Sequence, residues 1–357
     1  MNFKFSFLVA ALCGSVWASA ASMDKKRPNV VFIMCDDLND YISGMKGHDQ
    51  SQTPALASFA ESAVMFKRAY SNNPVCAPSR ASVFTGIYPH TSKNLFWGKW
   101  FQNAILKNSK TMMEHFADNG YYVTGSGKLL HHFTKNVWPY YNKQADYGPF
   151  YSLNGKASVA HPGVPAPFNS IGAIDGSFGA LEAIPKNRAQ GEGWLRGSWK
   201  VKDRSLNFDD SARRDMTPDE ENAAWAAAQI KSFEKNGQDQ PFFLGVGFVR
   251  PHTPLHVPQK YFDMFPLDKI QLPIIKKNDA SDTFYTEVFD GDKKGLKYFE
   301  LLKQSYPNQE AGIRAFTQAY LASIAAVDDC IGQVIDAVNS SPLKEKRQGT
   351  WPSIQLL

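Results

Sequence analysis

Two adjacent carboxylates are the first residues in this sequence that could do chemistry. Asp36 and Asp37 follow directly after a continuous apolar run at 30–34. Such a run predicts a strand buried on both faces, with the two carboxylates at its carboxyl end. Side by side the charges repel each other unless a cation lies near, and carboxylate oxygens suit Ca²⁺ or Mg²⁺. From position alone, a helix cap with a solvated turn explains the pair equally well.

A cysteine between two prolines is the second candidate. Cys76 lies in NPVCAPSRASVFTG, residues 73–86, just before a predicted helix at 79–84 that Gly86 ends. Backbone N–H groups at a helix start favour an anion, and Arg80 follows one turn later on the same face. Cys76 could therefore be a thiolate nucleophile or the precursor of another group. A small buried thiol that only packs is the more common case.

The elements that must position these residues alternate between strands and helices. Strands are predicted at 30–34, at 64–70, within YYVTGSGK and at PFFLGVGFV, and helices at 53–63, 79–84, 111–118, 217–236 and 309–338. This alternation predicts an α/β fold whose mostly parallel central sheet is covered by helices on both faces. Ligands bind beyond the carboxyl ends of the strands in such sheets. The irregular run at 136–215 is expected to line a binding face.

The two ends of the chain carry different signals. Residues 1–20 combine Lys4, an apolar run and small residues, which is the layout of a cleaved secretory signal peptide. We therefore expect export to the periplasm or the medium, and no membrane-spanning segment in the mature chain. After the predicted helix at 309–338, the tail at 341–357 shows no strand pattern.

Charge and cysteine content argue against two classes of protein. The formal net charge is +5, and the basic residues are scattered among acidic ones, so nucleic-acid binding is not expected. Once the signal peptide is removed, Cys35, Cys76 and Cys330 remain. Three widely spaced cysteines do not make a disulfide framework.

Several motifs in one order resemble a known family. Residues 76–80, CAPSR, match the C-x-P-S-R signature of the formylglycine-dependent sulfatases of the alkaline phosphatase superfamily, within a longer block, NNPVCAPSRASVFTGIYPH, that is similar throughout. GSGKLLHHF resembles the family's lysine and histidine motif and gives Lys128 and His131, and VRPHTPLHVP resembles its P-H-x-P segment and gives His252. The spacing is most similar to the iduronate-2-sulfatase branch. The resemblance predicts a catalytic domain over 27–340.

The resemblance implies a modified nucleophile and a metal ion. In this family the cysteine matching Cys76 is oxidised to formylglycine by a formylglycine-generating or anaerobic sulfatase-maturating enzyme. Asp36, Asp37 and the modified Cys76 would coordinate Ca²⁺, with Mg²⁺ the less suitable ion, and Arg80 would steady the aldehyde hydrate. The substrate would be a sulfated carbohydrate.

Three further residues receive roles by the same resemblance. Lys128 and His252 would hold the sulfate, and His252 would give a proton to the leaving group. His131 would take the proton from the second hydrate hydroxyl so that sulfate is released. A serine or an unmodified cysteine has no second hydroxyl on its adduct and could not release sulfate in this way.

The sequence also departs from the family. The D-H-G or D-N-G strand that supplies the remaining metal ligands, a later sulfate-contacting lysine and the small C-terminal sheet domain do not occur among these residues. We therefore expect an incomplete catalytic domain with an atypical tail at 341–357. An inactive remnant or glycan-binding protein is one alternative. A phosphatase or phosphodiesterase of the same superfamily is another, although those enzymes usually carry serine or threonine at the position of Cys76.

A few residues near the motifs are open to two interpretations. Trp97 and Trp100 could stack on sugar faces or pack in the core. His90 and His132 neighbour matched residues without matching a motif themselves. The pair at 328–329, two aspartates on the predicted long helix, is expected to cap a helix or face solvent.

Overall fold

The structure is a computed structural model that describes residues 27–198, 204–235, 240–276, 281, 294–342 and 351–356, the last as backbone only. The predicted signal peptide lies outside the described residues. The strands, in chain order, are β1 (Val30–Asp36), β2 (Tyr122–Gly127), β3 (Tyr140–Gln144), β4 (Phe150–Ser152), β5 (Ser158–Val159), β6 (Phe178–Ala180), β7 (Gly193–Leu195), β8 (Ser205–Leu206), β9 (Phe242–Pro251), β10 (Leu255–Val257) and β11 (Trp351–Leu356).

A five-stranded sheet with the order β11-β1-β9-β2-β3 forms the centre of the molecule. All of its neighbouring strands pair in parallel. Every residue of β9 is buried, as is every residue of β1 after Val30. The long apolar runs of these two strands are what a parallel sheet covered on both faces requires.

Helices cover both faces of this sheet, as predicted. They are α1 (Pro54–Glu61), α2 (Cys76–Thr85), α3 (Pro89–Ser92), α4 (Met112–Asp118), α5 (Pro218–Lys235), α6 (Gln259–Asp263), α7 (Lys294–Gln304) and α8 (Gln309–Asn339). None of the described helices is both long enough and apolar enough to cross a membrane.

Successive side chains of β1 enter two different cores. Val31 and Ile33 pack in a cluster with residues of α5 and α8. Phe32 and Met34 pack in a second cluster with residues of α2 and α4. Because side chains alternate along a strand, the even-numbered residues of β1 face the helix that begins at Cys76.

The region at 136–215 contains more regular structure than its sequence predicts. Strands β5-β4-β7-β8 form an antiparallel sheet, and β6 pairs in parallel with β10. These strands are two or three residues long, too short for a periodic pattern to identify them. A small core that includes Tyr151, Leu181 and Trp194 fixes them in place.

The strand predicted at 64–70 is wrong. The described structure has turns and irregular backbone there, and the side chains of Val64, Phe66 and Tyr70 are 81%, 76% and 86% exposed. An apolar run forms a strand only where a neighbouring strand accepts its backbone hydrogen bonds, and no described strand pairs with this run.

The tail also differs from its prediction. Residues 351–356, expected to lack strand structure, form β11 and pair in parallel with β1, from Val30 opposite Trp351 to Cys35 opposite Leu356. The sheet as described ends at this strand, and an edge strand tolerates a proline such as Pro352. Its pairing depends on the backbone of β1, which the sequence of the tail does not reveal.

Two further expectations concern helix caps. Thr53 precedes α1 as predicted but makes no side-chain cap there, because its hydroxyl oxygen accepts a hydrogen bond from the Ser43 N–H at 2.8 Å. Asp328 of α8 performs that role from a distance. Its carboxylate oxygens accept the N–H groups of Ala55 and Leu56 at 2.8 and 2.9 Å. Asp328 is thus a buried cap between two helices rather than a solvated residue.

Candidate active site

The predicted site residues lie where several elements of the central sheet end. Asp36 is the last residue of β1, Lys128 follows β2 directly, and His252 follows β9. Cys76 is the first residue of α2, so the helix begins three residues earlier than predicted. Parallel strands bring their carboxyl ends to one edge, which explains how residues far apart in sequence meet here.

An irregularity in β9 sets the position of His252. Cys35 of β1 pairs with Phe248, but the next residue, Asp36, pairs with Pro251. The two unpaired N–H groups, of Val249 and Arg250, donate to the carboxylate of Asp219 at 2.9 and 2.8 Å. A buried side chain of α5 therefore stabilises the bulge from which the His252 loop leaves the sheet.

Asp36, Arg80 and Lys128 form a buried triad. Their side chains are at most 1% exposed. An Arg80 guanidinium nitrogen donates to Asp36 Oδ1 at 2.8 Å, and Lys128 Nζ lies 3.2 Å from Asp36 Oδ2. Burial raises the pKa of Asp36, but Arg80 and then Lys128 outweigh it and hold the pKa below its ordinary value. The carboxylate therefore stays ionised between two cations.

Arg80 is held on several sides. Besides Asp36, its guanidinium contacts the carbonyl oxygens of Lys128 and Leu129, the latter at 2.9 Å, and Met34 Sδ at 2.8 Å. Its Nε is buried without a hydrogen-bond partner among the described residues, so one donor remains for a further acceptor. The fixed guanidinium positions Asp36 and the backbone that carries Lys128.

Cys76 and His131 face each other beside the triad. Cys76 Sγ lies 3.3 Å from His131 Nδ1, and Lys128 Nζ lies 3.4 Å from the same nitrogen. Burial and then Lys128 lower the pKa of His131 to about 3, so the ring is neutral at physiological pH and can accept a proton. Burial and then Asp36 raise the pKa of the Cys76 thiol. The thiol is therefore protonated at neutral pH, which disfavours a thiolate nucleophile.

Asp37 and His252 form an open pair on the other side of the site. Asp37 is 59% exposed, adopts a left-handed backbone with φ 60°, and places Oδ2 3.8 Å from His252 Nε2. The Asp37 carbonyl accepts a hydrogen bond from the Tyr320 hydroxyl at 2.6 Å, which fixes the turn.

The ring of His252 is oriented by its neighbours. Its Nδ1 lies 2.5 Å from the Thr253 carbonyl oxygen, so Nδ1 carries a hydrogen and donates it. The Thr253 hydroxyl donates to Asp175 at 3.0 Å, and Lys294 of α7 pairs with the same carboxylate at 2.8 Å. With Nδ1 occupied, Nε2 is the nitrogen that points to Asp37.

Three residues that no motif identified also contact the site. The Tyr147 ring lies 4.3 Å from Lys128 Nζ and 5.3 Å from the ring of His252. Trp97 lies 5.0 Å from the ring of His131, and Asp175 supports Thr253. Tyr147 and Asp175 belong to the region at 136–215, and the prediction that it lines a binding face was the one signal that pointed to them.

The comparison with known proteins settles the family. A family model described as Sulfatase matches residues 28–346. A protein named Sulfatase from Formosa agariphila is 32% identical over 328 residues, covering 88% of this chain and 56% of that protein.

The chain belongs to the sulfatase family.

Two other proteins are also similar to this sulfatase chain, one in sequence and one in structure. Iduronate 2-sulfatase from Mus musculus is 23% identical over 349 residues, covering 94% of this chain and 56% of that protein. The solved structure of a phosphonate monoester hydrolase from Agrobacterium radiobacter superposes with a TM-score of 0.54 at 19% identity, covering 92% and 62% of the two chains, and supports the fold. The sulfatase chain spans a little over half the length of the curated relatives it matches.

Sulfatases generally depend on formylglycine and bind Ca²⁺. The carboxylates present here are the type of ligand that Ca²⁺ prefers. Asp36 Oδ2 is buried and accepts no hydrogen bond, although Lys128 lies near it, so a lone pair remains for a cation. The carboxylates of the described site are too few to complete the shell of the ion. Ca²⁺ takes six to eight oxygens, and the described residues contain no group of three or more His, Cys, Asp or Glu side chains that could hold a metal.

Proposed function

We propose that this chain contributes the catalytic centre of an exported sulfatase that hydrolyses sulfate esters on a sulfated carbohydrate. The observation that carries the proposal is the contact of Cys76 and Lys128 with one neutral histidine, His131, at 3.3 and 3.4 Å. The similarity to iduronate 2-sulfatase supports a carbohydrate as the substrate class. The family match at 28–346 supports a catalytic domain over 27–340.

Cys76 has the surroundings of a precursor. Its raised thiol pKa does not suit a thiolate nucleophile, and its place at the start of α2 exposes part of the side chain to a maturation enzyme. Oxidised to formylglycine and hydrated, this residue would supply one hydroxyl for attack on sulfur and a second whose deprotonation releases sulfate. Neutral His131 lies where it can take that proton.

The remaining polar groups have roles that follow from their charge. Lys128 would bind a sulfate oxygen while Asp36 keeps the ammonium buried and fixed. Because His252 donates its Nδ1 hydrogen to Thr253, it can give a proton to the leaving oxygen only from Nε2 of the imidazolium. Asp37 Oδ2 lies 3.8 Å from that nitrogen.

Asp36 and Asp37 would be two members of a larger oxygen ligand set for Ca²⁺. The bound ion would add positive charge next to the sulfate and favour ionisation of the attacking hydroxyl. Mg²⁺ suits such a set less well, because it demands a strict octahedral shell and keeps its waters. Arg80 would hold Asp36 in place for this role through its bond to Oδ1.

Maturation and turnover are tested together. Co-expression with a formylglycine-generating or anaerobic sulfatase-maturating enzyme should lower the mass of the Cys76 peptide by about 18 Da, the difference between cysteine and formylglycine. The matured chain should then release sulfate from a sulfated oligosaccharide in the presence of Ca²⁺, and Cys76→Ala should release none. An unmodified Cys76 under these conditions would contradict the proposal.

A second candidate function has its own observation. The described ligand set is short of a full Ca²⁺ shell, which favours a glycan-binding protein without turnover. A matured, folded chain that binds a sulfated glycan and releases no sulfate would establish this alternative. Faster turnover of an aryl phosphate than of an aryl sulfate would instead support a phosphatase or phosphodiesterase.

Export is a separate part of the proposal. Cleavage after the signal peptide predicted at 1–20 should yield a mature protein whose first residue lies near position 21. N-terminal sequencing of the protein from the periplasm or medium of an expressing cell measures this directly. Retention of the whole sequence inside the cell would contradict it.

A further inference from the structure

An aromatic loop stands at the edge of the candidate active site. In the segment KNLFWGK, residues 93–99, Phe96 is 67% exposed and Trp97 is 57% exposed. The Trp97 ring centroid lies 5.0 Å from that of His131, tilted by 44°. A large exposed indole therefore adjoins a half-buried histidine that also contacts Cys76.

The loop is fastened at both ends to the site. Asn73 donates to the Leu95 carbonyl oxygen at 3.2 Å and accepts the Val75 N–H at 2.9 Å, immediately before Cys76. On the other side of Trp97, the buried Trp100 donates its indole N–H to the His132 carbonyl oxygen at 3.0 Å. Trp97 is thus presented by a loop whose position is tied to Cys76 and to His132.

The two tryptophans of this loop have different tasks. Trp100 is 5% exposed and its N–H is satisfied inside the protein, which is the packing role considered from sequence. More than half of the surface of Trp97 is exposed to solvent. An exposed aromatic of this size beside a catalytic group offers a flat apolar face for a ligand at small entropic cost.

The charge around the loop favours an anionic ligand. Residues 62–113 contain no Asp or Glu. Arg80 and Lys110 in this range are paired with Asp36 and Asp118, and five further basic residues remain: Lys67, Arg68, Lys93, Lys99 and Lys107. Lys93 and Lys99 flank the aromatic residues, are exposed, and have no ion-pair partner among the described residues. Burial and then Lys99 lower the pKa of His132, which places that ammonium close to the site.

We propose that Trp97 and Phe96 form a subsite that stacks on a sugar ring next to the sulfate-bearing ring, with Lys99 contacting an anionic group of that neighbouring sugar. This inference rests on the proposed function, because it assigns that substrate a second contact. The apolar C–H face of a pyranose ring matches an indole, and sulfate or carboxylate groups at the ring edge match the lysines. The subsite selects an oligosaccharide over a small sulfate ester.

The experiment measures binding first, so that it does not depend on turnover. The full chain carrying Cys76→Ala is titrated with a heparin-derived tetrasaccharide by calorimetry. Adding Trp97→Ala should weaken binding by about tenfold, as expected for an aromatic anchor, whereas Trp97→Phe should retain most of the affinity. Lys99→Gln should cost about threefold, in the range of an exposed charge. Tyr140→Ala, which removes a 55% exposed aromatic at the opposite, amino end of the sheet, should change nothing.

A kinetic measurement separates this inference from the proposed function. In the matured enzyme, Trp97→Ala should raise KM for the tetrasaccharide about tenfold, a larger loss than for a small aryl sulfate, which does not reach the subsite. Trp97-dependent binding without any turnover supports the subsite and counts against hydrolysis. Absence of tetrasaccharide binding, or equal binding by a folded Trp97→Ala protein and its parent, overturns the subsite. Equal losses with Trp97→Phe and Tyr140→Ala overturn it as well.

Discussion

Asp36 and Asp37 are adjacent in sequence and lie in opposite environments. Asp36 is 1% exposed and fixed between Arg80 and Lys128, whereas the Asp37 side chain is 59% exposed and has His252, at 3.8 Å, as its ion-pair partner among the described residues. The buried triad gains its geometry from folding itself, because two cations cannot be buried without their carboxylate. The open pair is held by a turn and by a side-chain relay at the surface. The buried triad is therefore needed for the stability of the fold, whereas the open pair of Asp37 and His252 is available to contact a ligand.

The largest effect should follow from removing the carboxylate of the triad. Asp36→Asn leaves Arg80 and Lys128 buried with unpaired charge and should lower the free energy of unfolding by about 3–5 kcal/mol. Asp37→Asn, one residue away, should change it by less than about 1 kcal/mol. Urea unfolding of the two variants beside the unmodified chain measures both values. Equal losses would remove the distinction between the two sides.

Acid should act on the buried side through His131. The folded pKa of about 3 lies below the ordinary 6.5, so the unfolded chain binds this proton first. Stability should therefore fall as the pH decreases from 6.5 towards 3, with a contribution of up to about 1.4 kcal/mol per pH unit, and His131 should impose no penalty above 6.5.

The matched variant for this effect is His131→Gln, measured by urea unfolding across the same pH range. Its stability should depend less on pH than that of the unmodified chain, and the two curves should run parallel above pH 7. Parallel curves over the whole range would show that His131 takes up its proton equally in both states.

Reactivity of Cys76 should give a smaller effect. Because the pKa of its thiol is raised, iodoacetamide should alkylate Cys76 at neutral pH about tenfold more slowly than a cysteine in an unfolded peptide. Mass spectrometry of the unmatured chain measures the rate, and the buried Cys35 and Cys330 serve as internal controls that remain unmodified. A rate that reaches half its maximum below the ordinary cysteine pKa would indicate a thiolate instead.

The smallest change is expected on the open side. Asp175→Asn weakens the contacts with Thr253 and Lys294 and should lower the free energy of unfolding by less than about 1 kcal/mol, because the ion pair is partly exposed. Thermal unfolding measures the shift, with Lys294→Met as the matched partner. A loss as large as that of Asp36→Asn would show that both sides of the site are structural.

The sequence predicted the parts of the fold whose signal is local. The apolar runs of β1 and β9 and the periodicity of α8 identified themselves because each is long and uninterrupted. The run at 64–70 is also rich in apolar residues but forms no strand, since a strand also needs a neighbour. Strand β11 is the reverse case, in which the backbone of β1 accepts a segment without a strand pattern.

The candidate site divides in the same way. The order of the motifs identified Cys76, Lys128, His131 and His252 as candidates, and the structure brings them to one edge of the sheet. The motifs could not identify the ion pair between Asp36 and Arg80, which joins residues 44 positions apart. Nor could they identify the hydrogen bond between Asp175 and Thr253. Such contacts depend on the packing of separate elements, and no spacing in the sequence encodes them.

The alternation of side chains along β1 makes the order of the two aspartates a matter of counting. Phe32 and Met34 turn toward α2, so Asp36, two positions on, falls in step with them and meets Arg80. Insertion of a single residue between Val31 and Cys35 would reverse that step and place Cys35, which has no carboxylate, opposite the guanidinium in place of Asp36. The side chains of β1 can thus alternate between the two faces in two ways, and only one of them gives the buried triad its carboxylate.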